Sequence, residues 1–481
     1  MDIICPITTQ IFHTPVLASD GFFYERQAIE NWIATNDTSP LTREKLKKNL
    51  YDSVKLKQYI DSYLIEHSDK KIKQYNPHMN HIDNLIIIDK ILKTNKYDKL
   101  LEYKNFDLTK MSIYIPKILE LDNIKIIKYI IDNINDLECL LTSQWKLIHY
   151  VCRCGAPEII KYLVDKGVDL ECVTDDKWKP IHYVCRYSTS DMIKYMIDKC
   201  VDLECVDNDG WKPIHYVCRY STPDVIKYMI DSGVDLECVN KGGWKPIHHV
   251  CRYSTPEMIK YIIDKGVDLE CVDNDKWKPI HYVCRYSTSD MIKYMIDKGV
   301  DLECIDTNGW KPIHYACEYS TLEIIKYMIN KGVDIECTTN DGQKPINILC
   351  QCNTLEVIKY IIDLGVDLEY ASNIGCKPIH MACRFNTPEV IKYLVDKDVD
   401  LESTDSYGWK PIHVVCHYNT LEVIKYIIDS ASSKGGDLES KIKKYDGVDK
   451  EMSIVELIDC NKKLNDEEKN ELKSYLNTLV Y

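Results

Sequence analysis

Three things are missing from this chain, and each removes a class of explanation. The first is a long apolar run. Charged and polar residues interrupt the sequence directly after its first Met, which predicts no signal peptide. Apolar runs such as residues 85–88 are far too short to cross a bilayer. The second is basic charge. The 481 residues carry 61 Lys and Arg against 75 Asp and Glu, a net charge of -14. A general nucleic-acid binder needs a basic face to neutralise phosphates, so that class is set aside, as is the membrane. The third is closely paired cysteine. The stretch CPITTQIFHTPVLASDGFFYERQAIENWI starts at Cys5 like a zinc module, yet no further cysteine follows until Cys139. Gly and Ala are also scarce, whereas Ile, Lys, Asn, Asp and Tyr abound, a bias expected of an AT-rich genome. With 45% hydrophobic and 28% charged residues the chain can bury cores and stay soluble, and its length suits about two to four domains. The expected location is cytoplasmic, extending to a host cytoplasm or nucleus.

The 22 cysteines are explained by period rather than by pairing. Cys152, Cys185, Cys218, Cys251, Cys284, Cys317, Cys350, Cys383 and Cys416 form one series, and Cys139, Cys172, Cys205, Cys238, Cys271, Cys304 and Cys337 another. Residues copied at a long fixed interval are repeat positions, not a disulfide framework. The pairs Cys152/Cys154 and Cys350/Cys352 have no matching second pair, so they predict packing rather than metal. The string WKPIH marks the same register at Trp178, Trp211, Trp244, Trp277, Trp310 and Trp409, with WKLIH at Trp145, QKPIN at Gln343 and CKPIH at Cys376. Nine copies therefore run from about residue 141 to 439.

One copy shows the local logic. Asp209-Gly210 ahead of Trp211 is turn chemistry, because glycine accepts positive φ. Pro213 suits a first helical turn, where its missing N–H costs nothing. Ile214, Val217 and Cys218 recur at helical spacing, then Ser221-Thr222 interrupts. Thr222 or Pro223 opens a second helix with Val225, Ile226, Met229 and Ile230 on one face, and Gly233 supplies a left-handed stop. Neither helix can bury its face alone, so the copies must stack.

This unit resembles the ankyrin repeat. The family's T-P-L-H box stands here as Lys212-Pro213-Ile214-His215, and its Gly-Ala-Asp as Gly233-Val234-Asp235. Lys replaces the usual Thr, which takes away the Thr–His hydrogen bond expected of the family. Val217 and Ser221 replace an Ala and a Gly, which implies slightly altered stacking angles. Residues 107–138 read as a worn first repeat, with IPKILEL and IIKYIID as its helices. The insertion SASSKG after Asp429 breaks the register, and residues 441–481 read as a helical cap with a polar outer face.

The resemblance places Trp178, Arg186, Tyr187, Trp211, Arg219, Tyr220, Trp244, Arg252, Tyr253, Trp277, Arg285, Tyr286 and Trp310 on the concave face that such proteins use for partners. Trp, Arg and Tyr dominate binding hot spots. Replication of one ancestral unit, with the aromatics stacking between neighbours, explains the same pattern. The recurring His149, His182, His215, His248, His281, His314, His380 and His413 occupy the family's structural position; no nucleophile or carboxylate accompanies them in a consistent unit.

The first residues differ in texture. Pro15-Val16-Leu17 and Phe22-Phe23-Tyr24 read as strands around Asp20-Gly21, and residues 25–33 as a helix with Ala28, Ile29 and Trp32 on one stripe. Ser39 to Arg43 is a second loop, and residues from Asn49 onward are expected to form a closing helix. Cys5-Pro6-Ile7, Pro15-Val16, Asp20-Gly21, Tyr24-Glu25-Arg26, Ile29, Trp32, Pro40 and Leu46 together resemble the U-box, the metal-free relative of the RING finger. The resemblance implies a mostly α protein: an ankyrin solenoid behind a small α+β head without zinc, cofactor or covalent nucleophile. It implies a polar network of Asp20, Glu25, Arg26 and Ser39 in place of metal. It implies a ligase that recruits a ubiquitin-conjugating enzyme (E2) through Ile7, Trp32 and Pro40, with Arg43 bridging the enzyme and ubiquitin. For Trp32 a core role and a contact role are both open.

The expected organisation is a U-box at 1–67, a polar linker at 68–81, a helical adaptor with the worn repeat at 82–140, nine repeats at 141–440 and the cap. Some U-boxes dimerise, so the resemblance also admits a dimer of the head. The array resembles those of giant viruses of amoebae, which would make the partners host proteins. The rival expectation is a scaffold or decoy that binds host proteins or the conjugating enzyme without ligase activity.

Overall fold

A computed structural model describes residues 15–19, 22–46, 50–54, 58, 115–119, 123–134, 136–141, 144–154, 156–352, 354–442 and 451–480. The expected linker and the first part of the adaptor, to residue 114, lie outside them. The chain divides into two compact units, Met1–Ile193 and Lys194–Tyr481.

In the head, β1 (Pro15–Leu17) pairs antiparallel with β2 (Phe23–Glu25), which runs directly into α1 (Arg26–Thr35). A third strand, β3 (Tyr51–Asp52), pairs with the other side of β1, giving the order β2-β1-β3. Tyr51–Asp52, expected to lie in the closing helix, are strand instead, and helix is described at Val54 and Gln58. Val16 and Leu17 offer a free strand edge, and Asp52 and Tyr51 satisfy it. Val16, Ala18, Tyr24, Ile29 and Leu46 form the head's core, with Phe23, Ala28, Trp32, Ile33 and Leu50 packed against it.

The repeats follow the expected unit. The first helix of the copy quoted above is Pro213–Tyr220 and the second Pro223–Asp231, with Gly210 at φ 74° and Gly233 at φ 86° in the turns. Ile214, Val217, Cys218, Val225, Ile226, Met229 and Ile230 are all buried. Full burial of such a side chain is worth about 1.5–3 kcal/mol, and it is reached only because first helices pack on first helices and second on second. Where the glycine is missing, Lys276 takes the same turn at φ 59°, and Lys177 does so in the first unit. The turn tips are joined copy to copy: Lys241 N–H donates to the Asp209 carbonyl at 2.9 Å, and Thr307 N–H to that of Asp275 at 2.9 Å.

The worn repeat forms helices Ile115–Leu119 and Ile124–Asp132. At the other end the SASSKG insertion lengthens the second helix to Leu421–Ser433, and Gly435 ends it at φ 77°. Helices Ile454–Cys460 and Asp466–Val480 close the stack. Asn461 donates to the carbonyls of Cys416 and Asn419 at 2.9 Å, and Lys425 pairs with Glu471. No described helix is long and apolar enough to cross a membrane.

Candidate functional site

Two surfaces carry the residues singled out from sequence. In the head these are the end of α1 and the loop after it. Trp32 lies half-buried against the core, and its indole Nε1–H donates to the Thr38 carbonyl at 2.8 Å. That bond ties the loop to the helix. Ser39, 2% exposed, accepts from the amides of Leu41 at 3.0 Å and Thr42 at 2.9 Å, with the Tyr24 hydroxyl 3.5 Å away. Ser39 N–H in turn donates to the Glu44 carbonyl at 2.7 Å, and Leu46 N–H to that of Asp37 at 2.9 Å. The loop is thus closed on itself by neutral hydrogen bonds.

Its outer surface holds a half-buried Pro40 and an exposed Arg43, whose backbone sits at φ 62°. Such a conformation in a non-glycine residue costs about 1–2 kcal/mol and persists only where the surroundings impose it. Leu41, 46% exposed beside Pro40, was missed in the sequence reading; an apolar residue directly after the loop proline was its signal. Ile7 and Asp20 lie outside the described residues, as do the side chains of Glu25 and Arg26.

In the array, the recurring histidine is a structural bridge. His215 Nδ1 accepts the Lys212 N–H at 2.9 Å, so Nε2 carries the proton and donates to the Cys238 carbonyl, past the second helix of the same copy, at 3.3 Å. The Thr–His bond is therefore replaced by a backbone one. The lysine side chain, which has only donors, makes ion pairs instead: Lys212 Nζ lies 2.5 Å from Glu204 and 3.2 Å from Asp235. Glu204 also accepts the Asp235 N–H at 3.0 Å. The same lysine–glutamate pair recurs from Lys146–Glu138 to Lys410–Glu402. Burial pushes the pKa of His215, His248, His281 and His314 down to about 4, and burial pushes the thiols of Cys238 and Cys271 up to about 12. These histidines are neutral and these cysteines inert. Among the described residues no group of three His, Cys, Asp or Glu could hold a metal ion.

The tryptophans are shared between copies. Trp277 has the Tyr282 ring at 4.8 Å and the Tyr315 ring of the next copy at 4.6 Å; Trp244 has Tyr282 at 4.9 Å. In the first unit Trp178 packs on Tyr183 at 4.7 Å with Arg186 over it at 5.7 Å. The Trp at each turn is thus half-buried packing, and the exposed members of the set are its neighbours. Tyr187, Tyr220, Tyr253 and Tyr286 are 43–46% exposed. Arg219 lies over Trp211 at 5.6 Å, Tyr220 at 5.2 Å and Tyr253 of the next copy at 5.3 Å; Arg252 and Arg285 repeat the arrangement. Trp310 has Tyr315 at 4.9 Å.

The model of ankyrin repeats matches overlapping segments from residue 117 to 441, more than half of the chain, and the model of the U-box domain matches residues 2–69. The chain is an ankyrin-repeat protein with an N-terminal U-box. Its U-box has named relatives. Over 98 residues the chain is 38% identical to a probable bifunctional E2/E3 enzyme of Acanthamoeba polyphaga mimivirus, which covers 18% of this chain and 8% of that one. It is 52% identical over 50 residues to WD repeat, SAM and U-box domain-containing protein 1 of Danio rerio, 10% of each chain. It is 37% identical over 79 residues to a putative E3 ubiquitin-protein ligase LIN of Medicago truncatula, 16% of this chain and 5% of that one. The match therefore spans a tenth or less of each relative's length.

Proposed function

We propose that this chain is an E3 ubiquitin-protein ligase whose U-box recruits a ubiquitin-loaded conjugating enzyme and whose ankyrin array holds the protein to be modified. The observation that carries the reading is the second loop of the U-box. Trp32 and Ser39 fix it by hydrogen bonds, and it presents Pro40, Leu41 and Arg43 outward. Pro40 and Leu41, with Trp32 beneath and Ile7 from the first loop, form the apolar contact for the conjugating enzyme. Arg43 donates its planar fork to carbonyls of that enzyme and of ubiquitin.

The chain makes no covalent bond to ubiquitin. It restrains the conjugating enzyme's thioester so that a substrate lysine amine attacks the thioester carbonyl and the cysteine thiolate leaves. Restraining the two reactants together is catalysis by orientation. The array raises the local concentration of substrate lysines near that thioester. Since Trp178, Trp211, Trp244, Trp277 and Trp310 are committed to packing, contact with substrate falls to the exposed Tyr and the exposed or half-buried Arg beside them. The likeness to a mimivirus protein favours host proteins as partners.

The test is self-ubiquitination by the purified chain with activating enzyme, ATP, ubiquitin and a panel of conjugating enzymes. Ladders that vanish in Ile7→Ala and Arg43→Ala, with the fold intact by circular dichroism, support the reading. Silence across the panel from a folded chain refutes it and leaves a scaffold or decoy.

A further inference from the structure

Among the four copies from Asp207 to residue 338, one breaks the pattern at two positions together and keeps a polar side chain at each. In its neighbours a buried tyrosine of the first helix donates to an aspartate at the preceding turn: Tyr216 to Asp207 at 2.5 Å, Tyr282 to Asp273, and Tyr315 to Asp306 at 2.6 Å. In the copy between, the tyrosine is His249 and the aspartate is Asn240. His249 is 1% exposed, with the rings of Trp211 at 4.8 Å and Trp244 at 4.7 Å. Neither of its ring nitrogens has a hydrogen-bond partner. The Asn240 Oδ1 is taken by the amides of Gly242 at 2.9 Å and Trp244 at 3.0 Å. Native proteins seldom leave such a group unpaired. Burial first, then His215, Arg219, His248 and Arg252 nearby, keep the ring neutral, so it has one N–H to give.

A groove of about 520 Å³ opens at this copy, with His249, Trp211, Trp244, Arg219 and Arg252 among its lining. Against one carboxylate, Asp209, it holds three cations, the third being Lys241. Arg219 and Arg252 lie over aromatic faces, and among the described residues neither they nor Arg285 have a carboxylate within ion-pair reach. This is unusual in a chain with 75 acidic residues, whose turn lysines are paired from copy to copy. Stacking fixes the guanidinium planes and leaves their N–H edges uncommitted. The row ends at Glu318, which stands at the arginine position of the following copy.

We propose that the groove at His249 anchors the carboxylate of an Asp or Glu in an extended acidic segment of the substrate, which continues along Arg285. The proposal rests on the reading of the array as the substrate arm and names the chemistry that arm selects. In it the carboxylate accepts the His249 N–H and the free edges of Arg219 and Arg252. Packed helices lie about 8–10 Å apart and an extended chain advances about 3.3 Å per residue, so acidic residues at every third position fit the row.

The experiment measures fluorescence anisotropy of the full chain with a short labelled peptide bearing Glu at every third position between Gly and Ser. The control peptide has Gln in place of Glu. Asn240→Asp with His249→Tyr restores the pair of the neighbouring copies, so this double variant keeps the fold. The Glu peptide should bind at least about tenfold tighter than the Gln peptide, and the double variant should lose about tenfold in affinity with an unchanged melting temperature. Arg219→Gln with Arg252→Gln should abolish binding. Equal binding of the two peptides, or a double variant that binds like the parent, overturns the proposal. Self-ubiquitination of the same preparation separates the two readings. A chain that ubiquitinates itself and ignores the Glu peptide sinks the anchor alone; one that binds the peptide in this pattern and ubiquitinates nothing sinks the ligase alone.

Discussion

The U-box and the ankyrin array are held together in opposite ways. In the U-box each contact occurs once: one indole bond from Trp32 to Thr38, one serine closing the loop, one small core. In the array every contact is a copy, from the His215–Cys238 bridge to the Lys212–Glu204 pair. A singular contact concentrates function and fragility in the same residue. A repeated contact spreads stability thinly, and function is then read from the copy that departs from the rest.

The largest expected effect that breaks the two apart is acid. The four array histidines held at about 4 bind protons only below that value, whereas in the unfolded chain they do so from about 6.5. Between those values the unfolded state binds more protons, so array stability is whole above pH 6.5 and falls as the pH drops toward 4. Each histidine contributes a loss on the order of 3 kcal/mol by pH 4. The described part of the U-box has no histidine. Thermal melts by circular dichroism across this range should show the array transition sliding downward.

Trp32→Ala should cost the head about 3–5 kcal/mol and abolish self-ubiquitination, while the array melts unchanged. Trp277→Ala should cost about 2–4 kcal/mol, and hydrogen exchange should show it confined to the adjoining copies, as nearest-neighbour stacking requires. A faster exchange throughout the array would contradict that. Lys245→Ala, which removes a pair with Glu237 at 2.6 Å, should cost only about 0.5–1 kcal/mol. Smallest is a gain: Lys276→Gly relieves a positive φ and should stabilise by about 0.5–1 kcal/mol.

The contrast also governs what was legible in sequence. The repeat unit was readable to within a residue at both helix starts, because proline, glycine and apolar spacing recur in most copies. The role of Lys212 was not, since Glu204 lies in the preceding copy and Asp235 past the second helix of its own, and only folding and stacking bring them together. In the U-box, Tyr51–Asp52 looked like the start of a helix because two residues carry no periodicity; the open edge of β1 decides their state. His249 was passed over for the histidines that repeat. Its signal was the single HH in place of HY, and its meaning needed the unpaired ring to be seen.

The central claim is tested most directly by self-ubiquitination of the full chain beside its Arg43→Ala variant. Arg43 is exposed and outside the core, so the variant should fold like the parent. The account predicts ladders from the parent with at least one conjugating enzyme, and a loss of at least about tenfold in the variant. A folded parent that is silent with every conjugating enzyme, or a variant as active as the parent, would contradict it.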